Sequence, residues 1–579
     1  MPGLPTCPSA QERYLYLGPQ ARAYPLVQGL VSIAIGLGVI VFFAGRTETA
    51  VFVLPVALTV AAAAVSTWST TNGRRVSLSA HRDLVVSWRP RRVPTVDVFL
   101  PTAGEPLTLL RNTYEHVARL RWPADLTVLV LDDAGRAEVR ALSQAFGFTY
   151  LSRPDRGRMK KAGNLAHGYA RSNGDLVLVL DADFCPVPDM LRELAPYFDD
   201  PGVGIVQSPQ YFDSRSPRTW LERGAGAVQE LFYRWVQPSR DGVGAAICVG
   251  TNALYRRAAL EDAGGFAQIG HSEDVHTGVA MLKNGFRLRY VPVLLARGLC
   301  PDGVAGFVSQ QYRWCSGSMS LLADRGFHNA GLPISVRACF WTGFLYYITT
   351  GVTVFTGFAS ALVMLWVVPE RISPVHYLPL VVAAWSMFFL WRRVSLAHYD
   401  LNVLRVRLLY SVAHALAIWH ALTGRTQEWV PTGAAGRGFP LGTQICRLVV
   451  VWFSLVEVGM LAGVARGLAA HGAGRFWLSA VLSSVGAVVL VPVIVLAWPE
   501  TGFRVPVPRP VRVALAGACR LTTHALAAAR FRVAAVRRRP DGLADVVTWP
   551  EAVAVVAVFT LVVLASNGFV DALLPVVRP

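Results

Sequence analysis

The spacing of long apolar stretches constrains this chain more than any other feature of its sequence. Runs at roughly 26–44, 50–68, 340–368, 375–391, 446–467, 476–498 and 550–574 approach the ~20 apolar residues that a bilayer-spanning helix needs. The chain is 53% hydrophobic and only 16% charged over 579 residues, too apolar and too long for one ordinary soluble domain. Between the second and third runs lies the longest polar interval, about 95–320, enough for a single α/β domain with its own core. The expected organisation is a membrane region with two transmembrane helices over 1–94, a folded domain over 95–320, and interfacial plus four transmembrane helices over 321–499. A basic segment over 500–548 and a last transmembrane helix over 549–579 complete it.

A net charge of +18 would point to nucleic acid if it covered one soluble face, but its placement reads as membrane topology. Arg504, Arg509, Arg512, Arg520, Arg530, Arg532, Arg537, Arg538 and Arg539 crowd one segment, whereas the connections near 45–50, 369–374 and 468–475 carry few positive charges. Positive loops stay on the cytoplasmic side. The expectation is therefore a multi-pass protein of the cytoplasmic (inner) membrane with the 95–320 domain, the 392–445 segment and the 500–548 segment inside, and no nucleic-acid partner. The arginines of 500–548 suit anionic headgroups of the lipid bilayer. No basic region precedes an apolar core in the first ten residues, so the first span is expected to be retained. The eight cysteines form no C-x-x-C pair and imply neither a disulfide framework nor a zinc site.

Within the polar interval, three apolar, β-branched runs read as buried strands, and each ends in polar residues. They are 96–100 before Pro101-Thr102-Ala103-Gly104-Glu105, 126–131 before Asp132-Asp133, and 176–180 before Asp181-Ala182-Asp183. In an open α/β sheet that edge binds ligands, so these carboxylates are expected to face one crevice. Helices are expected over 107–120, 161–170 and 275–282.

Asp181-x-Asp183 supplies oxygen ligands suited to Mg²⁺ or Mn²⁺, which completes its shell with phosphate and water. Taken alone the triplet is more often a turn or a helix cap. Only three of the 55 basic residues are lysines, and two of them, Lys160 and Lys161, stand together before a small-residue turn within reach of a phosphate. Asp274, in His271-Ser272-Glu273-Asp274, either caps a helix or takes a proton from an attacking hydroxyl. His271 and His276 read as structural. Arg313 in Gln310-Gln311-Tyr312-Arg313-Trp314 suits phosphate oxygens and Trp314 a sugar ring, although an interfacial Arg-Trp pair also anchors membrane proteins.

In combination these motifs make the chain resemble the processive family 2 glycosyltransferases, the group with bacterial cellulose synthase, hyaluronan synthase and chitin synthase. Pro101-Thr102-x-x-Glu105, Asp132-Asp133, Lys161-Ala162-Gly163-Asn164, Asp181-x-Asp183, Gln207-x-Pro209-Gln210, Ser272-Glu273-Asp274 and Gln310-x-x-Arg313-Trp314 occur in family order between membrane spans. The resemblance implies an α/β glycosyltransferase A-type domain, a Rossmann-like mixed sheet, inserted on the cytoplasmic side of a multi-pass helical bundle. It implies that Thr102, Glu105, Asp132, Lys161, Asp181 and Arg313 bind a UDP-sugar, that Asp183 binds Mg²⁺ or Mn²⁺, and that Asp274 is the general base. Glu273, Gln310 and Trp314 would hold the growing polysaccharide acceptor, and a periplasmic or extracellular accessory protein is a further expected partner. The implied reaction is a single displacement turning an α-linked donor, UDP-glucose by family frequency, into a β-linked polymer. A fold-conserving rival transfers one sugar to a lipid acceptor.

Three positions depart from the family pattern. Val249 stands where a cysteine is usual in Ile247-Cys248-Val249-Gly250-Thr251, and Phe184 replaces a histidine common in cellulose synthases. A candidate gating loop at about 425–438 keeps Trp429 and Thr432 but carries Ala434 where the family's lysine is expected. No regulatory PilZ barrel is legible.

Overall fold

The computed structural model describes residues 3–17, 23–43, 52–71, 76–212, 218–301, 303–386, 396, 400–425 and 440–503. The expected gating residues Trp429 and Thr432, most of the basic segment 500–548 and the expected last span lie outside the described residues.

A mixed seven-stranded sheet organises the polar interval. Its strands are β1 Val96–Thr102, β2 Leu126–Asp132, β3 Thr149–Leu151, β4 Leu176–Val179, β6 Val203–Gln207, β8 Ala253–Arg256 and β9 Arg287–Tyr290, in the order β3-β2-β1-β4-β8-β6-β9. Strands β3, β2, β1 and β4 are parallel; β8 runs antiparallel to both β4 and β6. All seven residues of β1 are buried, as are all four of β4, because helices cover both faces. Such strands read as continuous apolar runs rather than as alternations. The expected strands and helices are found: the helices are Leu107–Val117, Lys160–Tyr169 and Glu273–Lys283.

Pairing of Thr102 with Asp132 places the ends of β1 and β2 side by side, and Phe99 pairs with Val179 two residues before Asp181. The acidic segments therefore emerge along one sheet edge. A second, three-stranded sheet orders β5 Cys185–Pro186, β10 Ala296–Gly298 and β7 Tyr211–Phe212 as β5-β10-β7, and follows directly on Asp183.

Among the described residues, four helices are long and apolar enough to cross a membrane: Ile334–Trp366, Leu401–Thr423, Pro440–His471 and a segment Ala473–Thr501. Leu401–Thr423 was not expected as a span, because Arg405, Arg407, His414 and His420 break its apolar run. It contacts the helices Val304–Ala323, Trp220–Leu231 and Ile334–Trp366. Protein covers its two histidines: Tyr312 Oη lies 2.7 Å from His420 Nδ1, and Thr350 Oγ1 lies 2.8 Å from His414 Nδ1. In the expected span 375–391 the structure shows the short helix Leu378–Trp385, and residues 387–391 are not described. Near the N-terminus, Ala23–Phe43 and Val53–Thr71 pack on each other and carry no acidic or basic residue in their terminal turns.

Candidate active site

The turn after β1 is fixed by its own carboxylate. Glu105 Oε2 accepts hydrogen bonds from the Thr102 hydroxyl and from the backbone N–H groups of Ala103 and Gly104, at 2.8 and 3.1 Å for the latter two. Asp132, at the end of β2, is fully buried and accepts from the backbone of Ala134 and Arg136 and from Tyr150 Oη. Its neighbour Asp133 takes two bonds from Arg153, at 2.6 and 2.9 Å. Arg153 is itself buried and also donates to the carbonyls of Arg158 and Lys160. This brace holds Met159 and Lys160 at φ 51°, the left-handed turn that starts the helix Lys160–Tyr169.

Lys161 follows that turn and points across the sheet edge. Its Nζ lies 2.5 Å from Asp181 Oδ1 and donates to the Gly250 carbonyl at 2.8 Å. Burial opposes its charge, but Asp181, then Glu273 and Asp274, hold its pKa above the usual lysine value. Asp183 accepts from the Leu299 N–H at 3.1 Å, and burial, with Asp181 and Glu105 adding repulsion, pushes its carboxyl up to about 7. A divalent cation fits this position, since it would relieve the mutual repulsion of hard oxygen donors. Among the described residues no group of three or more His, Cys, Asp or Glu is arranged to hold a metal.

The opposite wall is the helix Glu273–Lys283, preceded by Ser272 at φ 54°. Asp274 is pushed up to about 7, first by burial and then by Glu273, with Lys161 opposing. The helix Val304–Ala323 supplies Gln310, Arg313, Trp314 and Gly317 at i, i+3, i+4 and i+7, hence on one face. Gly317 lets that face meet Ser272: a Cβ there would lie 1.8 Å from Ser272 Oγ. Further along, His276 Nε2 meets Ser320 Oγ at 3.1 Å and Lys283 meets Asp324 at 3.6 Å, so the two helices are joined along their length. Arg313 feels Glu273, Asp181 and Asp274, while burial pushes its guanidinium down to about 10, leaving it cationic at neutral pH.

The structure thus brings Glu105, Lys161, Asp181, Asp183, Glu273, Asp274 and Arg313 into one charged crevice. Gln310 and Trp314 share the face of Arg313, half-buried. Thr102 and Asp132 stand behind the crevice, their side chains bonded within the protein. Phe184 is buried against Gly298 and Phe212.

Sequence reasoning gave no role to the residues that hold the 247–251 loop. Gln207 bridges to the Val249 N–H at 2.8 Å and the Ile247 carbonyl at 3.2 Å. Gln237 pairs with both backbone groups of Ile247, at 2.9 and 2.6 Å, and Gln210 donates to the Val249 carbonyl at 3.0 Å. Tyr233, in the π-turn Phe232–Val236, completes the set by donating to Gln210 at 2.7 Å. From the same loop Thr251 Oγ1 accepts from the Asp181 N–H at 2.8 Å. Only the Gln207-x-Pro209-Gln210 motif hinted at this scaffold.

A mixed sheet with acidic turns along one edge, closed by an Arg-bearing helix, defines a glycosyltransferase A-type α/β domain. Residues 176–423 match the family described as "Glycosyl transferase family group 2". The UDP-forming cellulose synthase catalytic subunit of Xanthomonas axonopodis pv. citri (strain 306) is 34% identical over 263 residues, 44% of this chain and 36% of that protein. The UDP-forming cellulose synthase 1 catalytic subunit of Komagataeibacter xylinus is 33% identical over 257 residues, 43% of this chain and 34% of that protein. The chain spans about a third of the length of these relatives. A solved mannosyltransferase from Pyrobaculum calidifontis, in complex with GDP-Man and Mn²⁺, superposes with a TM-score of 0.47 at 18% identity, over 65% of this chain and 99% of that one.

Proposed function

We propose that this chain is an inverting membrane hexosyltransferase that extends a β-linked polysaccharide from a UDP-sugar, with UDP-glucose the first donor to test. The observation that carries the reading is the meeting of Lys161, Asp181, Asp183, Asp274 and Arg313 beneath a helix that runs on toward the membrane bundle. The similarity to UDP-forming cellulose synthase subunits supports the choice of donor.

Each side chain then has a task. Asp274 takes the proton from the acceptor hydroxyl, whose oxygen attacks the anomeric carbon as the bond to the diphosphate breaks. UDP departs with the bonding electron pair, and one displacement inverts the anomeric centre. Lys161 and Arg313 supply fixed positive charge beside the departing diphosphate. Asp183, with Asp181, would hold Mg²⁺ or Mn²⁺, which neutralises charge on that leaving group when bound. Glu105 stands at the nucleoside end, its turn held from behind by Thr102 and Asp132, whereas Gln310, Trp314 and Glu273 form the acceptor end. In this reading the catalytic domain is cytoplasmic, in the inner membrane, and the polymer crosses the bilayer beside it. Trp429 and Thr432 are proposed to gate the donor site.

Membranes holding the full chain, given radiolabelled UDP-sugars with Mg²⁺ or Mn²⁺, should yield a product of high molecular mass that a linkage-specific β-glycanase digests. A single-sugar glycolipid as the sole product from every donor would overturn polymerisation while keeping the transferase.

A further inference from the structure

The segment before the first apolar helix is built into the catalytic domain. Residues 3–17 lie along the second sheet, with Pro5, Pro8 and Tyr16 buried. The Gly3 carbonyl accepts from Arg218 at 2.8 Å, the Pro5 carbonyl from Asn112 at 2.9 Å, and the Arg13 carbonyl from the Leu294 N–H at 2.8 Å. Tyr16 meets Tyr211 edge to face, with ring centroids 6.1 Å apart.

The contact nearest to the chemistry is an ion pair. Glu12 Oε1 lies 2.7 Å from Nη2 of Arg297, whose side chain is only 2% exposed. The Arg297 guanidinium also lies over the Tyr211 ring, 5.2 Å from its centroid, and Nη1 is 3.5 Å from Thr6 Oγ1. Arg297 is the middle residue of β10, paired with Cys185 on one side and Tyr211 on the other. Two residues later the Leu299 N–H donates to Asp183 Oδ2. Between them Gly298 packs so tightly on Phe184 that a Cβ would lie 2.5 Å from the ring. Force on Arg297 therefore reaches Asp183 by two short routes, the β10 backbone and the Phe184 ring.

We propose that Glu12 is a positioning residue for the metal–diphosphate complex: through Arg297 and β10 it sets where the Asp183 carboxylate stands. The proposal rests on the reading of Asp183 as a metal ligand. A buried guanidinium that loses its carboxylate is left as an uncompensated charge, and any shift of β10 that relieves it is passed to the Leu299 N–H bonded to Asp183. The N-terminal strap is in this view part of the metal site's outer support.

The test uses the purified full chain in lipid nanodiscs and follows free Mn²⁺ by electron paramagnetic resonance in the presence of UDP. Glu12→Gln should weaken Mn²⁺ binding roughly tenfold or more, as loss of an outer-shell partner does. Glu12→Asp, which keeps the charge but withdraws it by one methylene, should give an intermediate constant. Arg92→Ala, which breaks the exposed pair between Arg92 and Asp175, should bind Mn²⁺ as wild type does. Asp183→Asn serves as the separate control. If it leaves Mn²⁺ binding intact, the metal-ligand reading fails and the proposal with it. If it abolishes binding while whichever Glu12 variant folds keeps the wild-type constant, the reading survives and the strap proposal alone is overturned.

Discussion

Gly250 and Asp274 touch: a Cβ built on Gly250 would lie 2.9 Å from Asp274 Oδ2 and 3.0 Å from its Cβ. Gly250 also adopts φ +74° and gives its carbonyl to Lys161. One glycine thus fixes the distance between the proposed base and the lysine that pairs with Asp181. Gly250→Ala should cost about 1–2 kcal/mol in left-handed strain alone. The larger expected effect is on rate, a fall of roughly a hundredfold, because ångström misplacement of a reacting group is that costly. Steady-state kinetics beside a thermal unfolding curve would separate the two; wild-type turnover would show that the contact is idle.

The pH dependence follows from what surrounds Asp274. Its carboxyl, pushed up to about 7 by burial and by Glu273, must be ionised to accept a proton, so the rate should fall as pH drops through about 7. In Glu273→Gln the repelling charge is gone, the ionised form is easier to reach, and the acid limb should move to lower pH. Initial rates between pH 5 and 9 report this. A limb unmoved or moved upward in Glu273→Gln would mean that another group controls it.

The glutamine scaffold makes a prediction about the loop. Gln237 is fully buried and satisfies both the N–H and the carbonyl of Ile247. Gln237→Ala leaves the Ile247 N–H without its acceptor while the carbonyl keeps Gln207; it should destabilise the domain by about 1–3 kcal/mol, the cost of one such unpaired group, and should lower kcat with it. Chemical denaturation and turnover assays check both effects, and neither should appear in Arg92→Ala.

Much of this arrangement was legible because buried parallel strands read as uninterrupted apolar runs. β1, β2 and β4 begin where the sequence placed them, and Asp132, Asp181 and Asp183 follow because strand ends are where the apolar pattern stops. Other parts carry no local signal. β8 is four residues long, and its antiparallel place between β4 and β6 is set by distant partners. Gln237 and Tyr233 look like ordinary polar and aromatic helix residues until the fold brings Ile247 and Gln210 to them. The strap 3–17 has no periodicity, so its docking on Arg297 depends on a contact 285 positions away in the chain (297 − 12 = 285). The helix Leu401–Thr423 reads as polar in sequence because of Arg405, Arg407 and two histidines, His414 and His420, and it is the histidines that the structure buries against other helices.

Buried Arg153 supplies a stability test independent of chemistry. It holds Asp133 and the carbonyls that precede Lys161, so Arg153→Met should destabilise by about 3–5 kcal/mol, as breaking one side of a buried pair does. The expected melting-temperature drop should be accompanied by weaker UDP binding, since the Lys161 turn loses its brace. A melting temperature equal to wild type would contradict the role given to this pair.

Asp274 is proposed to remove the proton in a site where Lys161, Asp183 and Arg313 hold the donor. The most direct measurement compares Asp274→Asn with wild type, in membranes, for both UDP binding and incorporation of label from the UDP-sugar. UDP affinity should stay within a few fold of wild type, and incorporation should fall by roughly 10²–10⁴, the contribution of a positioned general base. Undiminished polymer synthesis by Asp274→Asn would contradict it.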